Sequence, residues 1–255
     1  MRTSNPVLSR DDAFSPYLQQ GGTRQGAPQQ QGGRMTIDDV IAKTAVTMAV
    51  VMLVAAATFF MMPDQLIFPA AIGASLATIV ITFIVAARRH VPVGLVMVFA
   101  ALEGVMVGGI SKIFETIYPG IVVQAVFGTF VAAAVTLATY KFFNIKVSGR
   151  FAKIVGIATI AMAVALLANF GLSFLGINLG LRSGVTGPVG LLPILISAIA
   201  VVLAVLNLIL DFDYIERGVA MGAPANQSWK AAFGLTATLV WLYVELLRII
   251  SYFRR

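Results

Sequence analysis

Seven long apolar segments dominate the sequence and constrain its fold more than any other feature. They cover roughly residues 40–62, 66–87, 92–110, 120–143, 151–175, 191–214 and 231–251. A helix needs about 20 apolar residues to cross the hydrocarbon core of a bilayer. The chain is 59% hydrophobic and 11% charged, whereas soluble domains are about 45–50% apolar and about 25% charged. We therefore predict an all-α, polytopic membrane helix bundle with seven transmembrane helices.

The first 35 residues are polar and differ in composition from everything that follows. The stretch "YLQQGGTRQGAPQQQGGR" is rich in Gln and Gly, and such a segment cannot bury enough apolar surface to offset the entropy lost on ordering it. We expect residues 1–35 to form a disordered cytoplasmic N-terminal tail and residues 36–255 to form the bundle. Thr36, with Asp39 three residues later, resembles a helix N-cap at this boundary.

The basic residues in the loops predict the orientation of the bundle. Cytoplasmic loops of membrane proteins carry an excess of Lys and Arg, which also explains the net positive charge without a nucleic-acid partner. With the N-terminus inside a plasma membrane, thirteen of the 18 basic residues are cytoplasmic. The five on the outer side are Lys112, Arg182, Arg248, Arg254 and Arg255. Three of these lie at the C-terminus, so six spans followed by a re-entrant last segment remain the alternative.

Four acidic residues lie within the apolar segments: Glu103, Asp211, Asp213 and Glu245. A charged residue in a span costs about 2.5–3.5 kcal/mol on insertion scales, and it marks a functional hypothesis by default. Asp211 and Asp213 are separated by about 200° around a helix, so they cannot share one face. Asn207 lies four residues before Asp211, on the same face. We therefore expect Asp211 to face the bundle interior and Asp213 to lie at the interface.

The buried acids predict proton and cation chemistry. Burial out of water favours the protonated form of a carboxylic acid, and two adjacent acids titrate as a unit. When deprotonated, such a site attracts a cation, and oxygen-only ligands suit Ca²⁺ or Mg²⁺. Glu245 could instead pair with Arg248, three residues further along the helix. The chain has no cysteine and none of the common hydrolase or phosphate-loop motifs, so we expect neither an enzyme nor a permanent cofactor.

Three stretches resemble the bacterial branch of the Bax-inhibitor (transmembrane Bax inhibitor motif) family: "ALEGVMVGGIS", "LDFDYIE" and "LYVELLRI". The resemblance implies a pH-sensitive calcium leak in a bacterial inner membrane, with a role in stress responses. It implies that an acid in the sixth span, here Asp211, faces an acid in the last span, here Glu245, and that protonation closes the pair. The two acids would be the transient Ca²⁺ ligands, and Arg88 or Arg89 would act as the latch.

Two alternatives accompany this prediction. At 1.5 Å per residue, Asp211 lies about 8 Å below the membrane surface, whereas Glu103 and Glu245 both lie about 16 Å deep. Glu103 is therefore a second candidate partner for Glu245. The alternative function is that of a non-transporting regulator that binds an ATP-dependent membrane protease. The small-xxx-small spacing of Gly104 and Gly108 allows close helix packing, either within the bundle or in a dimer.

Overall fold

The computed structural model describes residues 33–88, 91–143, 145–173, 175–177 and 179–254. These residues form seven α-helices: α1 (Ile37–Met61), α2 (Asp64–Ala87), α3 (Val93–Ile117), α4 (Ile121–Phe142), α5 (Gly149–Ser173), α6 (Leu191–Ala220) and α7 (Gln227–Phe253). All seven are long and apolar enough to cross a membrane, and no strand occurs among the described residues. The predicted all-α bundle of seven spanning helices is therefore confirmed.

Helices α3, α6 and α7 extend beyond the apolar segments that predicted them, and α3 continues seven residues past Ile110 to Ile117. Helix α6 continues six residues past Tyr214 to Ala220, because its polar last turns have partners on α4 and in the α4–α5 loop. Glu216 accepts a hydrogen bond from the Tyr140 hydroxyl at 2.5 Å, and Arg217 donates to the carbonyl of Val147 at 2.6 Å. Helix α7 is unbroken over 27 residues, or about 40 Å, so a re-entrant last segment is not the form observed.

Helix α7 lies at the centre of the bundle and packs against α1, α3, α4 and α6. Helix α5 lies at the periphery and packs mainly against α6. We name the two ends of the bundle by the chain: the tail end is where α1 and α7 begin, and the C-terminal end is where α7 stops. The outer surface carries large apolar side chains such as Phe60, Phe83 and Ile160, which are 65–79% exposed, as suits contact with a lipid bilayer.

The small-xxx-small motif packs α3 closely against α1. A Cβ atom added at Gly104 would lie 2.7 Å from the Cβ of Val54, and one added at Gly108 would lie 2.8 Å from the Cβ of Thr58. No larger side chain fits at either position without movement of α1. Of the two uses predicted for this motif, the structure shows packing within the bundle.

The N-terminal boundary of the bundle lies slightly earlier than predicted. The side chain of Thr36 accepts a hydrogen bond from the Asp39 amide at 3.2 Å, which confirms the N-cap. However, Met35 is 2% exposed, and its amide donates to the carbonyl of Ala223 at 2.7 Å. Residues 33–35 therefore belong to the packed region, because they pair with the α6–α7 loop. The rest of the predicted tail, residues 1–32, lies outside the described residues.

Candidate functional site: buried acids in the helix bundle

Asp211 lies on the side of α6 that faces α7. The hydroxyl of Thr238 donates a hydrogen bond to Asp211 Oδ2 at 2.7 Å. A Cβ at Gly234 would lie 3.5 Å from Asp211 Oδ1, so the glycine leaves room for the carboxylate one turn from Thr238. The prediction that Asp211 faces the bundle agrees with these contacts, and its direct partner is a hydroxyl rather than a second acid.

A cavity of about 200 Å³ adjoins Asp211 between α2, α6 and α7. Its lining combines a carboxylate, an ammonium group and two hydroxyl groups with apolar residues: Thr82, Val85, Ala86, Asp211, Tyr214, Lys230, Ala231, Phe233 and Gly234. Ala86 and Lys230 lie within one turn of helix ends at the tail end of the bundle. Tyr214 is 50% exposed. The carboxylate therefore borders a space that reaches the tail end and the bundle surface.

Glu245 has a partner that the sequence did not suggest. Arg182, from the segment between α5 and α6, forms a two-pronged ion pair with it: Nη1 donates to Oε2 at 2.8 Å, and Nη2 donates to Oε1. Arg182 Nη1 also donates to the hydroxyl of Ser197 at 3.0 Å. The side chains of Arg182 and Glu245 are 14% and 3% exposed. The expected pairing of Glu245 with Asp211 or Glu103 is thus replaced by a buried salt bridge.

The helix geometry explains why Asp211 and Glu245 do not pair. Thr238, the partner of Asp211, precedes Glu245 by seven residues on α7, which is about 10 Å along the helix axis. Glu245 therefore lies two turns along α7 from the residue that Asp211 contacts. This separation is the mismatch in depth that the sequence already indicated. The structure provides no direct support for Asp211 and Glu245 as ligands of one metal ion. Among the described residues, no group of three or more acidic, His or Cys side chains is placed to hold a metal.

Glu103 is buried on α3 with incomplete hydrogen bonding. It is 8% exposed, and Oε2 has no hydrogen-bond partner among the described residues. The side chain of Thr78 on α2 is its polar neighbour. Glu103 thus faces α2, and its carboxyl group can carry a proton or meet a cation without first breaking a salt bridge.

Asp213 and Asn207 have separate structural partners. Asp213 pairs with Arg217 at 2.8 Å, one turn further along α6. Asn207 donates to the hydroxyl of Thr159 on α5 at 2.8 Å, so it joins α5 to α6 instead of sharing the environment of Asp211. Asn207 and Asp211 are one turn apart and lie on similar faces of α6. However, Asn207 meets α5, whereas Asp211 meets α7.

Of the two predicted latch residues, Arg88 contacts Lys230 through its backbone carbonyl. Arg88 is exposed and ends α2, and its carbonyl accepts a hydrogen bond from Lys230 Nζ at 3.2 Å. No ion pair of the Arg88 side chain occurs within the described part of the chain. Arg89 lies outside the described residues. Lys230 is therefore the basic residue that borders the Asp211 cavity.

The seven spanning helices, with three acids turned into the bundle, define a polytopic membrane protein with an ionisable interior. The sequence model of the family described as Bax inhibitor 1 like matches residues 5–255. The chain belongs to this family, which confirms the resemblance found in its motifs. The comparison with curated proteins gives no match.

Proposed function

We propose that this protein is a pH-regulated cation leak that admits calcium and that Asp211 is its principal ion-binding acid. The observation that carries the proposal is the cavity beside the Asp211 carboxylate. An acid in a membrane-embedded cavity marks an ion or proton pathway by default. Carboxylate and hydroxyl oxygens, here from Asp211, Thr238 and Thr82, are ligands that Ca²⁺ accepts.

A row of polar groups on α2 supports a route from the cavity towards Glu103. Thr82 lines the cavity, and its hydroxyl donates to the carbonyl of Thr78 at 2.8 Å. Thr78 in turn neighbours Glu103. Under the proposal, Glu103 is the second acid that a proton or cation meets after Asp211.

The expected pH dependence follows from the charge of the acids. When protonated, Asp211 and Glu103 are neutral and lose their attraction for cations, so flux falls as the pH is lowered. When deprotonated, they attract cations against the positive charge of Lys230 at the cavity wall. Flux should therefore rise as the pH is raised, because only the deprotonated acids carry the negative charge that attracts cations.

Calcium flux into dye-loaded proteoliposomes tests this proposal. We expect wild-type flux to rise with pH, and Asp211→Asn to lose most of the flux and its pH dependence. Glu103→Gln should reduce the pH dependence with a smaller loss of flux. Asp38→Asn is the matched control, because Asp38 is an exposed acid at the start of α1. A folded wild-type protein without flux at any pH would refute the leak and favour the alternative, a regulator of a membrane protease.

We further propose that the tail end faces the cytoplasm of a bacterial plasma membrane. The distribution of basic residues supports this orientation. Because the chain has no cysteine, single cysteines introduced at Ser148 and Thr186 can report it by labelling with an impermeant thiol reagent. Labelling of intact cells at Thr186 alone is expected, and labelling at Ser148 alone would reverse the orientation.

A further inference from the structure

The segment of residues 179–190, between α5 and α6, places a charged side chain inside the bundle at its C-terminal end. We call it the Arg182 segment. It contains no helix or strand, and its glycines at 180 and 187 adopt left-handed backbone conformations. The hydroxyl of Tyr118, the residue that follows α3, donates to the carbonyl of Val185 at 3.1 Å. Arg182 itself is the residue of this segment that reaches Glu245.

The groups that receive Arg182 belong to helices α6 and α7, and both are buried. Glu245 on α7 is 2% exposed, and Ser197 on α6 is fully buried. Their three oxygen atoms accept hydrogen bonds from the two terminal nitrogens of one guanidinium group. The planar fork of a guanidinium matches a carboxylate in this two-pronged way. Glu245 and Ser197 therefore form a preformed receptor for a planar cation, and the chain fills it from a loop.

Arg248 is a second positive charge beside Glu245, so Arg182 is not the sole compensation for this buried carboxylate. It lies three residues after Glu245 on α7 and is close enough to interact electrostatically with both Glu245 and Arg182. Its Nε atom is buried without a hydrogen-bond partner among the described residues. If Arg182 withdrew, Glu245 would still face one positive charge. Withdrawal of the loop therefore costs less free energy than it would if Glu245 were left buried with no compensating positive charge.

We propose that Glu245 and Ser197 form a cation site for guanidinium-type ions, and that Arg182 fills this site as a tethered plug which closes the C-terminal end of the bundle. The gating role rests on the proposed leak function, whereas the existence of the site does not. A fixed guanidinium in a pore repels other cations. With Arg182 in place, the guanidinium groups of Arg182 and Arg248 outnumber the Glu245 carboxylate, so a cation that enters from the Asp211 cavity meets a net positive charge at the opposite end.

The first test measures binding alone, by thermal unfolding of the purified full-length chain in detergent. Arg182→Ala should lower the midpoint of unfolding by about 5 °C. Guanidinium chloride at about 50 mM should restore at least half of this loss, because it exceeds the effective concentration of about 1 mM at which the tethered group fills the site in wild type. An equal concentration of sodium chloride should restore none of it. Wild type, whose site is already filled, should show no such rise.

Two further variants make this test specific. Arg182→Ala combined with Glu245→Gln should lose the response to guanidinium, because the carboxylate that binds it is gone. Arg182→Lys retains the cation and should fold even if the alanine variant does not. It should be less stable than wild type, since an ammonium group cannot form both carboxylate bonds. Stabilisation by guanidinium that is absent in Arg182→Ala, or that persists in the double variant, would overturn the site.

The second test measures cation flux in proteoliposomes. Arg182→Ala should raise flux about tenfold, the change that follows from removal of a barrier of about 1.4 kcal/mol, and guanidinium should reduce it towards the wild-type value. Guanidinium stabilisation without flux in any variant would uphold the site and refute the leak. Flux in wild type that Arg182→Ala leaves unchanged would uphold the leak and refute the plug.

Discussion

Replacement of Glu245 by glutamine tests the charge balance at the C-terminal end of the bundle. Glu245 is the acid that faces Arg182 and Arg248, and it is 2% exposed. Glu245→Gln keeps the size of the side chain but removes its charge, so two guanidinium groups remain without a carboxylate. Arg182→Met removes one cation and leaves Glu245 with Arg248. The two variants break the same ion pair but leave different net charges behind.

The magnitudes follow from that difference. Removal of one partner of a buried ion pair costs about 3–5 kcal/mol, because the other charge is left uncompensated. We expect this loss for Glu245→Gln, since Arg248 is on a helix and its Nε is already buried. For Arg182→Met we expect about 1–3 kcal/mol, because Arg248 still compensates the carboxylate. The difference of about 2 kcal/mol corresponds to about 5 °C in the midpoint of unfolding.

Thermal unfolding in one detergent, followed by circular dichroism, measures both variants under the same conditions. Arg254→Met is the control, because Arg254 is exposed and donates to the Pro119 carbonyl at 2.8 Å. It should change stability by no more than about 0.5 kcal/mol. If Arg182→Met proves as costly as Glu245→Gln, Arg248 does not compensate Glu245, and the argument from charge balance is wrong.

Three further predictions concern the packing. Gly108→Ala should lower the free energy of unfolding by about 1–3 kcal/mol, because the added methyl overlaps α1. Gly156→Ala on α5 is the control: nothing lies within 4 Å of its new Cβ, so it should be neutral or slightly stabilising. Equal effects of the two substitutions in thermal unfolding would contradict the close contact between α1 and α3. Thr238→Val should cost about 1–3 kcal/mol, measured in the same way, because the partly buried hydrogen bond to Asp211 is lost. No change would show that this hydrogen bond does not hold the carboxylate. Met35→Ala should cost about 2–5 kcal/mol, and a smaller loss in a denaturant titration would argue that residues 33–35 do not belong to the packed region.

The apolar segments were sufficient to predict the number, order and type of the helices. Hydrocarbon leaves a buried backbone no water to bond with, so a long apolar segment has few alternatives to a helix. The same reasoning found the acids, because a carboxylate in such a segment is visible without coordinates. Helix periodicity also placed Asp211 towards the interior. These properties depend on residues that are close in sequence, and local physical chemistry decides them.

The helix ends were predicted less well, because they depend on tertiary contacts. The charged residues after Tyr214 looked like a loop, yet they continue α6 because Tyr140 and Val147, from another part of the bundle, satisfy Glu216 and Arg217. A pattern of hydropathy cannot show such partners. Only the packed structure supplies them.

The partner of each acid was likewise decided by the tertiary structure. Helix periodicity gives the direction in which Glu245 points, but not which element lies opposite or at what depth. Arg182 was assigned to an outer loop by its position between two spans, and the only available signal was that it is the one basic residue in a glycine-rich segment. The structure folds that segment into the bundle, 63 residues away from Glu245 in the chain. Sequence alone determined that buried charges need compensation, whereas the packing of α6 and α7 determined that a loop arginine supplies it.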